Sequence, residues 1–573
     1  MTDTKLQQDR ELLAAAESKG LGAKLAAYTK LSGPGWLQSA ITLGGGSLAG
    51  SLYIGVIGGY KMLWLQPVMM ILGIVMLSAI AYVTLSTGEK PFRSINKHVN
   101  PVLGWGWLAA AMIANLVWAM PQFSLGTAAM QQNLGLPLNN WGCSAILFVI
   151  ACVVIWFYDA GGWGIKLFEI LLKVMVGLIV LAFFGVVIAL SLKGALPWAE
   201  VFAGYVPDFS LLSKPAAGLR PFIEASSDPV YWSDKIVGIQ RDTMITAAAT
   251  AVGINMTFLL PYSMLRKGWD KTFRGLATFD LSTGLFIPFV LATSCVVIAA
   301  ATQFHGTYDK GLVGEAEPTQ MTKTLQKGYD GNLEAFLATP RVRGTGSDKP
   351  LTIDKRWESE RNPDTVNAAD RQLAAMTIKS DSGALAISLE NVTGSKAVAQ
   401  YVFGLGVAGM ALSTLIILML INGFTFTEAL GAPTSGVMHR VGSFLPAVTG
   451  GLGFLLIWGP IPESRFWLAV PTSRIGMMLL PVAYITFFLM MNSRKLMGDN
   501  LMVGGKRIAA NVVMVIAIAV ATYGCALSLW MSTQEIPGTQ QSVRPFLMAL
   551  VIGFIAAVVV VQLVRKKPDD ALL

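Results

Sequence analysis

Long apolar runs separated by short polar connections dominate the chain, and about twelve of them are long enough to cross a bilayer as helices. They lie near residues 34–58, 61–86, 102–132, 141–158, 165–192, 243–265, 276–303, 397–428, 443–459, 469–491, 508–531 and 545–564. A soluble core has no place for so many runs of this length. The pattern therefore predicts an all-α polytopic membrane protein.

Two of the runs are interrupted. The first reads Gly33-Pro34-Gly35-Trp36-Leu37-Gln38-Ser39-Ala40-Ile41-Thr42-Leu43-Gly44-Gly45-Gly46-Ser47, with three consecutive glycines near its middle. Three glycines cost a helix interior roughly 3 kcal/mol relative to alanine, which predicts unwinding there. Five runs later, Gly253, Asn255, Thr257 and Pro261 break another apolar stretch. Either interruption alone reads as a kink or a small-residue packing seam. Together they open two halves of five runs each, the pattern of an inverted-repeat transporter with its site at the bilayer midplane.

This organisation divides the chain into an N-terminal arm at 1–32, a first repeat at 33–192, an outer loop at 193–242, a second repeat at 243–491, and two further spans with a tail at 492–573. The second repeat contains a polar insert at 305–396. Within the insert, Asn367 to Thr377 reads as helix and Ala384 to Leu389 as strand, and Asn391-Val392-Thr393 has the form of a chance sequon.

Charge adds orientation. The chain has 573 residues, 54% hydrophobic and 13% charged, with a net charge of +9. Basic residues gather after the second run (Lys90, Arg93, Lys97), the sixth (Arg266, Lys267, Lys271, Arg274) and the tenth (Arg494, Lys495, Lys506, Arg507). The opposite connections hold few: Lys61, Arg465 and Arg544. By the positive-inside rule both termini are cytoplasmic, the insert is periplasmic, and the protein is a multi-pass resident of the inner membrane. No secretory signal opens the chain. The positive charge thus belongs to topology, and no nucleic-acid partner is expected. Cys143, Cys152, Cys295 and Cys525 fall inside apolar runs without metal-site spacing.

The order of motifs resembles the Nramp (natural resistance-associated macrophage protein) transporters. The agreement lies in Gly33-Pro34-Gly35, Gly59-Tyr60-Lys61-Met62-Leu63-Trp64, Gly164 to Glu169, Gly177-Leu178-Ile179, Asp280 and Ser493-Arg494-Lys495-Leu496-Met497-Gly498. The resemblance implies a LeuT-type 5+5 inverted repeat of about twelve helices, with the first and sixth unwound at the midplane. It breaks at the chemistry, which marks a divergent branch without the metal-binding motifs. Where the family places Asp-Pro-Gly-Asn, this chain has Gly44, Gly45, Gly46 and Ser47. Where it places Met-Pro-His, this chain has Asn255, Met256 and Thr257, and Tyr262 stands for a second histidine. The acidic third-span residues are absent from Trp118 to Gly126, and Met410 takes the place of a glutamine.

The residues say the same without the family. No Asp, Glu, Lys, Arg or His lies in the middle third of any run; Lys166, Glu169, Lys173, Asp280, Glu428 and Arg474 sit towards ends. The histidines His98, His305 and His439 fall in connections. No acid/base pair or nucleophile constellation suggests an enzyme, and no cofactor is expected. An uncharged site with backbone N–H groups at a half-helix start favours an anion. The sequence therefore points to a secondary transporter of a small inorganic or carboxylate anion, bicarbonate first. Thr42, Gly44, Gly45, Gly46, Ser47, Asn255, Met256 and Thr257 would bind it. The alternative is a divalent metal ion, Mg²⁺ or Mn²⁺, held with part of its water by carbonyls and amides. A neutral solute, a channel and a receptor on a transporter fold are further readings. Ser413 and Thr414 resemble a sodium-holding hydroxyl pair in related folds, so Na⁺ is a candidate coupling ion, with H⁺ the other. Oligomeric state is left open.

Overall fold

The computed structural model describes residues 3–159, 163–337, 366–378, 400–401, 403–458, 469–532 and 543–564. All regular elements among them are helical. Ten helices are long and apolar enough to cross a membrane, and a bent pair, Pro34–Thr42 with Gly45–Met62, makes eleven. The remaining expected span, the ninth, is Val437–Gly453 continuing as a π-helix over Phe454–Trp458. The strand expected at Ala384 to Leu389 and the triplet at Asn391 lie outside the described residues.

Helix ends follow local chemistry. Asn100 accepts from the Val102 N–H at 2.9 Å and Pro101 occupies the first turn, so the third span starts there and runs to Ala128. The second span, Leu65–Thr87, stops at Gly88, whose φ of 67° lets the chain turn left-handed. The sixth begins at Pro229, well before the apolar run expected from 243, because Asp228 caps it at the Tyr231 N–H. That extension makes the last part of the expected outer loop, 229–242, a helical arm.

The first, third, sixth, eighth and tenth spans pack around the two breaks. The first half-helix, Pro34–Thr42, lies against the π-helical turn Leu281–Phe286 of the seventh span. Apolar side chains such as Leu178, Leu181 and Ile516 face outward, as lipid contact requires. The twelfth span, Val543–Val564, sits at the edge against the third, where Asn100 Nδ2 donates to the Val558 carbonyl at 3.1 Å.

His439 is placed differently from the sequence reading. It lies in the first turn of the ninth-span helix, fully buried, with its ring 5.3 Å from that of Phe424. With Gly436 as its N-cap, that helix starts at Val437, six residues before the apolar run expected from 443.

The insert is anchored to the sixth-span arm. Its helix Ala368–Met376 carries Asp370, 1% exposed, whose carboxylate accepts from Trp232 Nε1 at 2.8 Å, Ser227 Oγ at 2.5 Å and the Ser227 N–H at 3.2 Å. Hydrogen bonds to a charged group contribute about 1.5–3 kcal/mol each. Asp370→Ala should therefore expose the insert to limited proteolysis at least about tenfold faster than the wild type. Equal digestion rates would mean that the insert is held elsewhere.

Candidate functional site

The first break is short. The half-helix Pro34–Thr42 ends, Leu43 and Gly44 depart from helical geometry, and Gly45–Tyr53 resumes at an angle of 56°. None of Gly44, Gly45 and Gly46 has a positive φ. They are needed for space. A Cβ on Gly44 would lie 2.2 Å from Thr414 Oγ1, and one on Gly46 would lie 2.4 Å from the Trp118 ring and 2.7 Å from Thr250 Cγ2. Gly45 is looser, its nearest neighbour being Gln122 Oε1 at 3.2 Å.

The second break lies at Val252 and Gly253, between Pro229–Ala251 and Ile254–Arg266. Gly253 is the N-cap of the returning helix, and within its first turn Asn255 Oδ1 accepts from the adjacent Met256 N–H at 2.9 Å. Gln38 ties the two breaks together, its Nε2 donating to the Met256 carbonyl at 3.3 Å.

A small cavity of about 40 Å³ lies between the breaks. Thr42, Gly44, Gly46 and Ser47 line it from the first span, Gly253, Asn255 and Met256 from the sixth, and Trp118, Gln122, Thr250 and Thr414 complete the wall. No lining residue is charged. Its size suits one small solute or a few waters. Gly45 and Thr257 are not in the lining. Thr257 turns one helical step away, where it accepts from Trp107 Nε1 at 2.7 Å and donates to the Ile254 carbonyl.

The donors expected to grip an anion are largely engaged within the protein. The Gly45 N–H donates to Gln122 Oε1 at 3.0 Å, and the Gly44 N–H to Ser47 Oγ at 3.1 Å. Ser47 Oγ in turn donates to the Thr42 carbonyl, and Thr42 Oγ1 to the Gln38 carbonyl at 2.8 Å. On the first half-helix, outside the cavity lining itself, Gln38 Oε1 is buried without a partner one turn before Thr42, as is the Ser39 hydroxyl.

Gln38 and Gln122 were missed at the sequence level because each sits as a single uncharged residue within an apolar helix. The one available signal was position. Gln122 lies where the resemblance puts acidic residues, and Gln38 lies one turn before Thr42.

Beside the cavity, Ser413 and Thr414 of the eighth span face the first span's carbonyls. Ser413 Oγ is 3.1 Å from the Ala40 carbonyl oxygen, and Thr414 Oγ1 is 3.2 Å from that of Ile41 and 3.5 Å from that of Leu43. Towards the basic loops, stacked aromatic rings close the path: Trp107 on Phe258 at 4.6 Å and Phe258 on Tyr262 at 4.4 Å. Beyond them the buried Glu428 carboxylate pairs with Lys90 at 2.8 Å. Towards the insert, Arg474 of the tenth span grips Asp242 of the sixth through contacts of 2.6 and 2.7 Å. No cluster of three or more His, Cys, Asp or Glu side chains suited to a metal occurs among the described residues.

The site is thus an uncharged pocket between two broken helices, closed at either end by packing and ion pairs. The family model described as natural resistance-associated macrophage protein-like matches residues 35–338, and the chain belongs to the Nramp family. It is therefore a multi-pass secondary transporter with an all-α architecture whose first and sixth spans are broken. No curated relative matches it. Among solved structures it is similar to a histidine-to-alanine variant of the Eremococcus coleocola manganese transporter, at 14% identity, TM-score 0.49 and 94% coverage of each chain. It is also similar to MhsT in complex with L-phenylalanine, at 12% identity, TM-score 0.46, and coverage of 86% of this chain and 98% of that one. A Na⁺-coupled sialic acid symporter matches at 10% identity, TM-score 0.42, covering 89% and 91%.

Proposed function

We propose that this Nramp-family chain carries a divalent metal cation, Mg²⁺ or Mn²⁺, that keeps part of its hydration shell. The supporting observation is the imbalance of the polar atoms at the breaks: the hydroxyls and the Gly44 and Gly45 N–H groups are spent on internal hydrogen bonds, whereas the Gln38 carboxamide oxygen is buried and unpaired. Hard cations bind neutral oxygens, and Mg²⁺ in particular gives up its water reluctantly, so a wall of amides and carbonyls serves without a carboxylate. The thioether of Met256, 3.3 Å from Thr42 Oγ1, adds a softer contact that suits Mn²⁺ better than Mg²⁺. The anion reading drawn from the sequence loses the Thr42, Ser47, Gly44 and Gly45 donors in this arrangement, and membership of a metal-transporter family supports the cation instead.

Coupling belongs to the same proposal. The carbonyl oxygens of Ala40, Ile41 and Leu43 with the hydroxyls of Ser413 and Thr414 form an all-oxygen cluster that a Na⁺ ion could share. By the distribution of basic loops the protein resides in the inner membrane with cytoplasmic termini.

Uptake by the reconstituted full-length protein tests the cargo. Saturable Mn²⁺ or Mg²⁺ uptake is expected, and Gln38→Leu should lower it roughly tenfold or more, the loss of one hydrogen-bond-strength contact to a charge. Bicarbonate flux without cation uptake would overturn the proposal.

A further inference from the structure

We infer that the basic side of the protein carries a binding groove for an anionic phospholipid, seated between the second, seventh and eleventh spans with its headgroup at Arg274. A cavity of about 600 Å³ opens there on the side facing the bilayer, sharing no lining residue with the transport site. That volume lies within the ordinary range for ligand sites. Its walls are apolar along the spans, with Ile71 and Val75 on one side and Ala509 and Val513 on the other. Ile71 is 50% exposed and Val513 38%, so the groove is open to acyl chains.

Its mouth has a different chemistry. Arg274, at the start of the seventh span, stacks over Tyr82 at 4.8 Å and donates from Nη2 to Asn500 Oδ1 at 2.6 Å. The Tyr82 hydroxyl fixes the same residue by donating to the Asn500 carbonyl at 2.5 Å. The guanidinium is thus held in place, while its Nε is buried without a partner. No acidic residue lines the groove. Asp499, next in the chain to the rim, is exposed and outside the lining.

Each part of this arrangement has a physical consequence for lipid. An apolar trough open to the bilayer takes up a chain whatever its headgroup, and so cannot choose among lipids. A fixed cation at the headgroup level can choose, because anionic lipids populate that leaflet and a basic residue near the surface attracts them. The basic loops of this side, Lys271 with Arg274 and Lys506 with Arg507, place the mouth at the cytoplasmic leaflet by the positive-inside rule. Arg274 differs from the other three in being anchored over the trough itself. The second span also contacts the transport site, because Val252 at the sixth-span break packs on Gly73, where a Cβ would lie 2.1 Å away. A lipid on the groove side of that helix therefore sits one helix away from the break.

Native mass spectrometry of the purified full-length protein tests the assignment, using phosphatidylglycerol and phosphatidylcholine of matched chains. The wild type should retain phosphatidylglycerol about fivefold more strongly. Arg274→Gln should abolish the preference, Arg274→Lys should restore most of it, and Lys506→Gln should leave it intact. Ala509→Trp, which fills the trough from an exposed position, should reduce retention of both lipids. An undiminished preference in Arg274→Gln would overturn the headgroup assignment, and undiminished retention in Ala509→Trp would overturn the groove.

Discussion

Gly46→Ala is expected to abolish uptake in reconstituted vesicles, whereas Gly45→Ala should stay within about twofold of the wild type. The two glycines are neighbours with equal helix propensities, so any argument from backbone freedom predicts equal effects. Neither has a positive φ that would exclude a side chain. Their surroundings separate them. A methyl on Gly46 would overlap the Trp118 ring at 2.4 and 2.6 Å and the Thr250 methyl at 2.7 Å, and all three residues line the cavity. Trp118 is 9% exposed and has no room to withdraw without moving the third span. Overpacking of this kind costs about 1–3 kcal/mol and forces side chains off their rotamers, here at the binding site itself. A methyl on Gly45 meets Gln122 Oε1 at 3.2 Å and Leu125 Cδ2 at 3.3 Å, both at the ends of side chains that can give way. Uptake rates of the two variants at matched protein density check the contrast. Similar losses in both would return the glycines to a general role in unwinding.

That contrast also marks where sequence reasoning reached and where it stopped. The breaks were legible because Gly44 to Gly46 and Gly253 to Pro261 interrupt otherwise continuous apolarity. The neutral character of the cavity was legible too, since charge is conspicuous in an apolar run and its absence equally so. Direction was not. Whether Ser47 and Thr42 offer donors to a ligand or spend them on the chain depends on local angles, and the structure has them spent on the Thr42 and Gln38 carbonyls. Thr257 shows the same limit: one residue past Met256, the helix has rotated it out of the cavity and under Trp107. Gln122 could be named as the residue standing in a proton route's place, but not as the cap of the Gly45 N–H, because that contact joins positions 77 residues apart.

Asp280→Ala is expected to release the first half-helix and open the basic side of the transporter. Pro34 has no N–H, so the donors at the start of Pro34–Thr42 are the N–H groups of Gly33 and Gly35, and both donate to the Asp280 carboxylate, at 3.1 and 2.6 Å. The Ser32 hydroxyl donates to it as well. The carboxylate, 1% exposed, thereby meets the positive end of the half-helix dipole across the gap between the first and seventh spans. Gly35 lets the contact close, since a Cβ there would lie 2.2 Å from the Asp280 carbonyl oxygen. Removing the carboxylate strands buried N–H groups and forfeits two or three charge-assisted bonds, roughly 3 kcal/mol or more, enough to shift a two-state equilibrium about a hundredfold. The half-helix can recover those bonds only by swinging towards water, because its other end is fixed by Ser413 and Thr414 on the carbonyls of Ala40 and Ile41. A cysteine placed at Leu37, 5% exposed in the closed form, should then label from the basic side at least tenfold faster in Asp280→Ala than in the parent, in a background cleared of the native cysteines. Asp280→Glu, which keeps the charge on a longer arm, should label at an intermediate rate. Unchanged labelling in Asp280→Ala would show that the half-helix is held by its apolar contacts with the seventh span alone.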